Sequence, residues 1–184
     1  EIQGLCAEAE GLVLVTGPRS SGKSTLISAF VDLINRTRSD HVITLETQIK
    51  FVHENRGSLV SQREVRGDLH ELMSVARAAL RENPDVLVIE EIGSPEIVTL
   101  ALEAAQSGHL VIGALTAHTA TDAVDRIIDQ TPPERRPKVQ SGLAENLRGI
   151  VAQVLLRKTG GGRVAAREVL LNTSAVANLI AEGK

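Results

Sequence analysis

Gly17-Pro18-Arg19-Ser20-Ser21-Gly22-Lys23-Ser24 fits the pattern G-x-x-x-x-G-K-[ST]. The stretch follows the apolar run Leu12 to Val15, which reads as a buried strand. Ile27, Phe30, Val31 and Ile34 come after it at helical spacing. A strand that turns through such a loop into a helix is a phosphate loop, and each residue type has a physical reason. Main-chain amides point inward at a triphosphate, and the helix dipole faces the same charge. Glycine lets the backbone come close. Lys23 is expected to reach the β- and γ-phosphates and the Ser24 hydroxyl to bind Mg²⁺. Residues Gly17 to Ser24, with Thr25 beside them, are therefore the expected site for ATP.

Outward from the loop, apolar runs alternate with helical patterns. Val42 to Leu45, Val86 to Ile89 and Leu110 to Leu115 read as strands, and residues 51–65 give mixed signals. Asp68 with Glu71 marks a helix start with a reciprocal cap, and Asn83-Pro84 ends that helix. Ser94-Pro95 opens another, with Ser as cap and Pro at the first position. Pro132, Pro133 and Pro137 mark a loop before a helix around Val139 to Leu147. Ile150 to Leu156 and Val164 to Leu171 flank Thr159-Gly-Gly-Gly162 as a hairpin, and a short helix follows Ser174. The expected fold is α/β: a RecA-like, mostly parallel sheet flanked by helices, ending in a β-hairpin and a helix.

Bulk composition agrees. The chain has 184 residues, 42% of them hydrophobic, with no Trp or Tyr and only Phe30 and Phe51 as aromatics. A core of Leu, Ile, Val and Ala suits a parallel sheet covered on both faces. A net charge of −3 without a basic stripe argues against nucleic acid as partner. Cys6 is alone, which leaves no disulfide framework or thiolate metal site and suits a reducing cytoplasm. No apolar run approaches membrane-spanning length. Work at a membrane is expected from the cytoplasmic side, through a partner and without direct insertion.

Two acidic positions could act on water. Glu90 and Glu91 end the strand Val86 to Ile89, expected beside the phosphate-loop strand, and alternation allows one of them to aim at the nucleotide. Glu91 is favoured over a solvated rim position, and Glu46, at another strand end, is the second candidate catalytic carboxylate. His118 could sense the γ-phosphate or be a solvated loop residue, and His41, His53 and His70 have no metal-ligand spacing. Arg63 and Arg66 read as a charged surface strand, while Arg77 is a candidate contact across subunits.

From Gly11 to Lys184 the sequence resembles the C-terminal motor domain of the PilT-like type IV pilus retraction ATPases, within the secretion ATPase superfamily. The resemblance rests on Gly11-Leu-Val-Leu-Val-Thr-Gly-Pro18, Ser21-Gly-Lys-Ser-Thr25, Ser61-Gln-Arg-Glu-Val65, Ala76-Arg-Ala-Ala-Leu-Arg81, Pro84-Asp85, Gly108-His-Leu-Val111 and Ala175-Val-Ala-Asn-Leu-Ile-Ala-Glu182. It implies a homohexamer that hydrolyses ATP at subunit interfaces. It also implies an inner-membrane platform protein as partner, a cytoplasmic site at the inner membrane, and pilus retraction with twitching motility. Residues 1–184 are then one P-loop ATPase domain. The family's smaller preceding domain, with its interface arginines, has no room here, so a shortened core that is monomeric or weakly oligomeric is expected.

Several positions depart from the family pattern. Leu45-Glu-Thr-Gln-Ile-Lys50 keeps the first carboxylate of an acidic box that usually reads Ile-Glu-Asp-Pro-Ile-Glu, and Lys50 reverses the last charge. Glu90 stands where a small residue is usual, and Ile92-Gly-Ser94 replaces Met-Arg-Asp. Thr116 replaces a histidine, Ala177 and Ala181 replace arginines, and Ser20 replaces a glycine. Nucleotide-binding positions are largely kept. The second reading is a nucleotide-binding, weakly hydrolytic regulatory paralogue, and a metabolic P-loop kinase is disfavoured because no acceptor-binding motif is visible.

Overall fold

Strand β1 (Gly11–Thr16) is buried at every position. Leu12 and Leu14 face one core and Val13 and Val15 the other, because successive strand residues point to opposite faces. A computed structural model describes residues 1–183, and Lys184, the last residue of the expected domain, lies outside them. Around β1 run β2 (His41–Glu46), β3 (Leu59–Glu64), β4 (Val86–Ile89), β5 (Leu110–Leu115), β6 (Leu147–Arg157) and β7 (Arg163–Leu171). Their order is β3-β2-β4-β5-β1-β6-β7. All neighbours are parallel except β6 and β7, which form the C-terminal antiparallel hairpin.

Among the described residues seven α-helices cover the two faces. On the Val13 side lie α1 (Ile2–Ala7) and α2 (Lys23–Thr37), whose Leu26, Ile27, Phe30, Val31 and Ile34 form the apolar stripe. On the Leu12 side lie α3 (Leu69–Arg81), α4 (Pro95–Gln106), α5 (Ala120–Gln130), α6 (Arg136–Asn146) and α7 (Ser174–Glu182). The expected caps are present: Asp68 accepts from the Glu71 N–H at 3.1 Å and Ser94 from the Ile97 N–H at 3.4 Å. Cys6 is buried against α2, and burial pushes its thiol up to about 11, so it stays protonated.

Two readings of the sequence need correction, and one helix is added to them. The strand carrying Glu90 and Glu91 is not beside the phosphate-loop strand, because β5 pairs with both β1 and β4 and stands between them. Helix α5 fills residues 120–130, to which the sequence patterns assign no element. Thr119 caps it by accepting from the Asp122 N–H at 3.1 Å, and Ala120, Ala123, Val124 and Ile127 form its buried face. Strand β6 begins at Leu147 rather than Ile150, directly after α6. The ambiguous region 51–65 resolves as a loop followed by the edge strand β3.

Phe30 is 3% exposed and joins α2 to the sheet beneath it. Phe30→Ala should cost about 3–5 kcal/mol in urea unfolding, the usual penalty for emptying a buried aromatic site. A loss below about 1 kcal/mol would mean that α2 is not held by this contact.

Candidate functional site

Between the end of β1 at Thr16 and the start of α2 at Lys23 the chain reverses direction over residues 17–22. Strand β6 sets how tight that turn must be. A Cβ on Gly17 would lie 2.2 Å from the Gln153 carbonyl oxygen, and one on Gly22 would lie 2.9 Å from the Gln153 side-chain nitrogen. Gly22 also adopts φ +85° at the cap of α2, a left-handed conformation that glycine takes without strain. Gln153 is buried, donates from Nε2 to the Ser21 carbonyl at 2.8 Å, and accepts from Arg167 Nε on β7 at 2.7 Å. The hairpin thus grips the loop from below, a role that nothing in the motif pattern indicates.

The loop's upper side opens into a cavity of about 660 Å³, lined by Arg19, Ser20, Lys23, Ser24, Glu90 and Glu91 among others. That is a normal size for a small-molecule site. Lys23 donates from Nζ to the Gly17 carbonyl at 2.8 Å and the Pro18 carbonyl at 3.0 Å, which closes the loop on itself. Ser24 lies in the first turn of α2, where main-chain N–H groups lack intrahelical acceptors. Its hydroxyl donates to Glu90 Oε1 at 3.3 Å.

Both acidic residues reach this cavity, which overturns the expectation that only one could. Strand β4 ends at Ile89, so Glu90 and Glu91 lie beyond the pleat and its alternation no longer separates them. Glu90 meets Ser24, and its Oε2 accepts the Thr47 N–H at 2.6 Å. Glu91 is open to solvent on one side, while protein atoms on the other strip water from it. This desolvation pushes its carboxyl above the ordinary range, against the pull of Lys23, the Thr116 N–H and Arg126. Burial lowers Lys23 in turn, and Glu91 opposes that shift. The two charges therefore sense each other across the cavity.

Glu46 does not line this cavity. Its Oε1 accepts from Thr44 Oγ1 at 2.6 Å and Gln62 Nε2 at 3.0 Å, and it borders two smaller cavities that share Glu90 with this one. Thr116, rather than His118, is at the cavity wall, and the His118 N–H is held by Asp122 at 2.7 Å. Arg126 of α5 reaches the cavity and is a residue that sequence reading missed along with its helix. Arg63 pairs with Glu82 at 2.6 Å, and Arg66 pairs with Glu64.

The arrangement fits a magnesium nucleotide. Among the described residues no group of three or more His, Cys, Asp or Glu side chains could hold a metal alone. A cation here needs ligands from a phosphate, as Mg²⁺ commonly does. Ser24 Oγ and Glu90 Oε1, 3.3 Å apart, match the spacing of about 3 Å between neighbouring oxygens around octahedral Mg²⁺.

Comparison with known proteins gives a consistent picture. The family model described as Type II/IV secretion system protein matches residues 1–181. The Pseudomonas aeruginosa protein named type IV pilus retractation ATPase PilT is 47% identical over 95% of this chain and 51% of its own length. A Neisseria gonorrhoeae twitching motility protein is 43% identical over 99% of this chain and 49% of its own length. The crystal structure of the pilus retraction motor PilT with bound ADP superposes with a TM-score of 0.93 at 46% identity, covering 99% of this chain and 53% of that one. The chain thus spans about half the length of the curated relatives it matches. Among the described residues no helix is long and apolar enough to cross a membrane.

Ser20 takes φ +61°, a conformation that favours glycine, at the position where the resemblance leads one to expect glycine. Ser20→Gly should therefore raise stability by about 0.5–1 kcal/mol, read as an upward shift of about 1–4 °C in Tm. A fall in Tm would show that the serine side chain contributes more than its backbone costs.

Proposed function

Because the chain belongs to the type II/IV secretion system protein family, we propose that it is the ATP-binding and ATP-hydrolysing core of a motor subunit for type IV pilus retraction and twitching motility. The observation that carries this reading is the convergence on one cavity of Lys23, Ser24, Glu90 and Glu91. Residues Gly17 to Thr25 bind the triphosphate of ATP through loop amides and the α2 dipole. Lys23 leaves the Gly17 and Pro18 carbonyls to meet the β- and γ-phosphates. Ser24 and Glu90 hold Mg²⁺, which when bound neutralises phosphate charge. Glu91, nearer to Lys23 in electrostatic terms, accepts the proton of the attacking water. Arg126 faces the same space and offers a positive charge to the phosphates.

The same reading has the chain act in a cytoplasmic homohexamer at the inner membrane, coupled to a platform protein there. Names of the relatives support the retraction assignment. Glu46 favours the second reading, a weakly hydrolytic regulatory subunit, because the carboxylate expected to assist Glu91 lies outside the cavity with Thr44 and Gln62 both bound to its Oε1.

Replacing Glu91 by Gln should lower steady-state ATP hydrolysis by about 100-fold or more while nucleotide affinity changes little, as loss of a general base does. Glu46→Gln should change turnover by less than about threefold, since Glu46 lies outside the cavity. The reverse ranking would transfer the role to Glu46. Desolvation raises the Glu91 carboxyl, so acidification protonates it earlier than an ordinary glutamate. Hydrolysis should accordingly fall with decreasing pH at a point above the usual carboxylate range. A rate that stays flat down to that range would exclude Glu91 as the base.

A further inference from the structure

Glu90 has a third neighbour. Lys50 Nζ stands 3.7 Å from Glu90 Oε1, the same oxygen that accepts from the Ser24 hydroxyl. The lysine is not a free surface chain that happens to reach inward. On one side of it the Ile49 N–H donates to Glu64 Oε1 at 3.0 Å. On the other, the Phe51 carbonyl accepts from Gln62 Nε2 at 2.8 Å, and the His53 N–H donates to Gln62 Oε1 at 2.8 Å. His53 Nε2 lies 3.1 Å from Ser28 Oγ of α2, which ties the loop to the helix that carries Ser24. Two residues of β3 and one of α2 therefore fix the backbone from which Lys50 extends.

The sequence shows an exchange of charge at this place. The last acidic-box position, expected to be a carboxylate, is Lys50, and the position expected to be small at the end of β4 is Glu90. The carboxylate near Ser24 is thus supplied by β4, with a cation opposite it. Its Oε2 accepts the Thr47 N–H and its Oε1 the Ser24 hydroxyl, and Oε1 is the oxygen that Lys50 approaches.

We propose that Lys50, which lies outside the large cavity and reaches Glu90 from the smaller one that Ser24, Glu46 and Glu90 also line, is a tethered cation whose charge at Glu90 Oε1 opposes Mg²⁺ when the nucleotide binds. This rests on the reading of the cavity as a magnesium-nucleotide site. The ammonium offsets part of the charge of Glu90, which shares the large cavity with Glu91. On arrival of the metal, two cations cannot share one oxygen at this range without repulsion. Lys50 is half exposed, so it can swing into water at little cost. The chain consequently requires more Mg²⁺ to bind nucleotide than the same site without the lysine. It binds metal-free nucleotide with no handicap.

The test is a titration of fluorescent ADP binding against Mg²⁺ concentration, with EDTA as the metal-free point, on the chain and on Lys50→Gln, Lys50→Arg and Glu90→Gln. Lys50→Gln should lower the Mg²⁺ concentration for half-maximal effect by about three- to tenfold, a range suited to a partly solvated charge. Lys50→Arg, which keeps the charge, should stay near wild type. Glu90→Gln should raise the Mg²⁺ requirement and leave the EDTA affinity unchanged or better. An unchanged or higher requirement in Lys50→Gln would overturn the tethered-cation role. Absence of nucleotide binding by the wild-type chain, with or without Mg²⁺, would instead overturn the nucleotide site on which the role depends.

Discussion

A strand buried on both faces must hand over to a helix across residues 17–22, and the site depends on how that turn is made. Strand β1 cannot bend toward solvent, because β5 and β6 pair with it on either side and both of its faces lie in apolar cores. The chain leaves at Thr16 with Gln153 of β6 pressed against it, so Gly17 and Gly22 have no space for a side chain. The first turn of α2 borders the cavity through Lys23 and Ser24, and N–H groups at such a helix start lack intrahelical acceptors. A concentration of N–H groups and a helix dipole needs a polyanion opposite it. Burial of β1 thus fixes a helix N-terminus of the kind that favours phosphate.

Charge placement follows from the sheet order. With β5 between β1 and β4, the end of β4 faces the loop across one strand's width, which leaves a cavity wide enough for phosphates and a metal. Two carboxylates at that end would repel each other if left alone. Here Ser24, Thr47 and Lys50 hold Glu90, while Lys23 and Arg126 attract Glu91. The pair is thereby split between a carboxylate bound by Ser24 and Thr47 and one that senses Lys23 and Arg126. Environment makes that distinction, since the two residues are chemically identical.

Local patterns in the sequence carried much of this. The G-x-x-x-x-G-K-[ST] spacing located the loop, the apolar runs located β1, β2, β4 and β5, and the glycine turn located the β6–β7 hairpin. Pairing order is not local, so the insertion of β5 between β1 and β4 could not be read from the runs themselves. The rule of alternation misled at Glu90 and Glu91 because it holds only inside a strand, and β4 stops at Ile89. Helix α5 was legible in principle from Thr119, Asp122 and the Ala120, Ala123, Val124, Ile127 stripe, but no element was assigned there, and Arg126 went unnoticed with it. Gln153 gave no signal at all, since its importance comes from a contact with a residue 132 positions away.

The account stands on the loop as a phosphate cradle closed by Lys23. Isothermal titration of ATP in the presence of Mg²⁺, on the chain and on Lys23→Ala, addresses that most directly. The account predicts saturable binding by the chain and an affinity lowered about 10- to 100-fold in the variant, the cost of one charge-assisted bond. Equal affinity in the two proteins would contradict it, because the nucleotide would then be bound somewhere other than the loop that the fold builds.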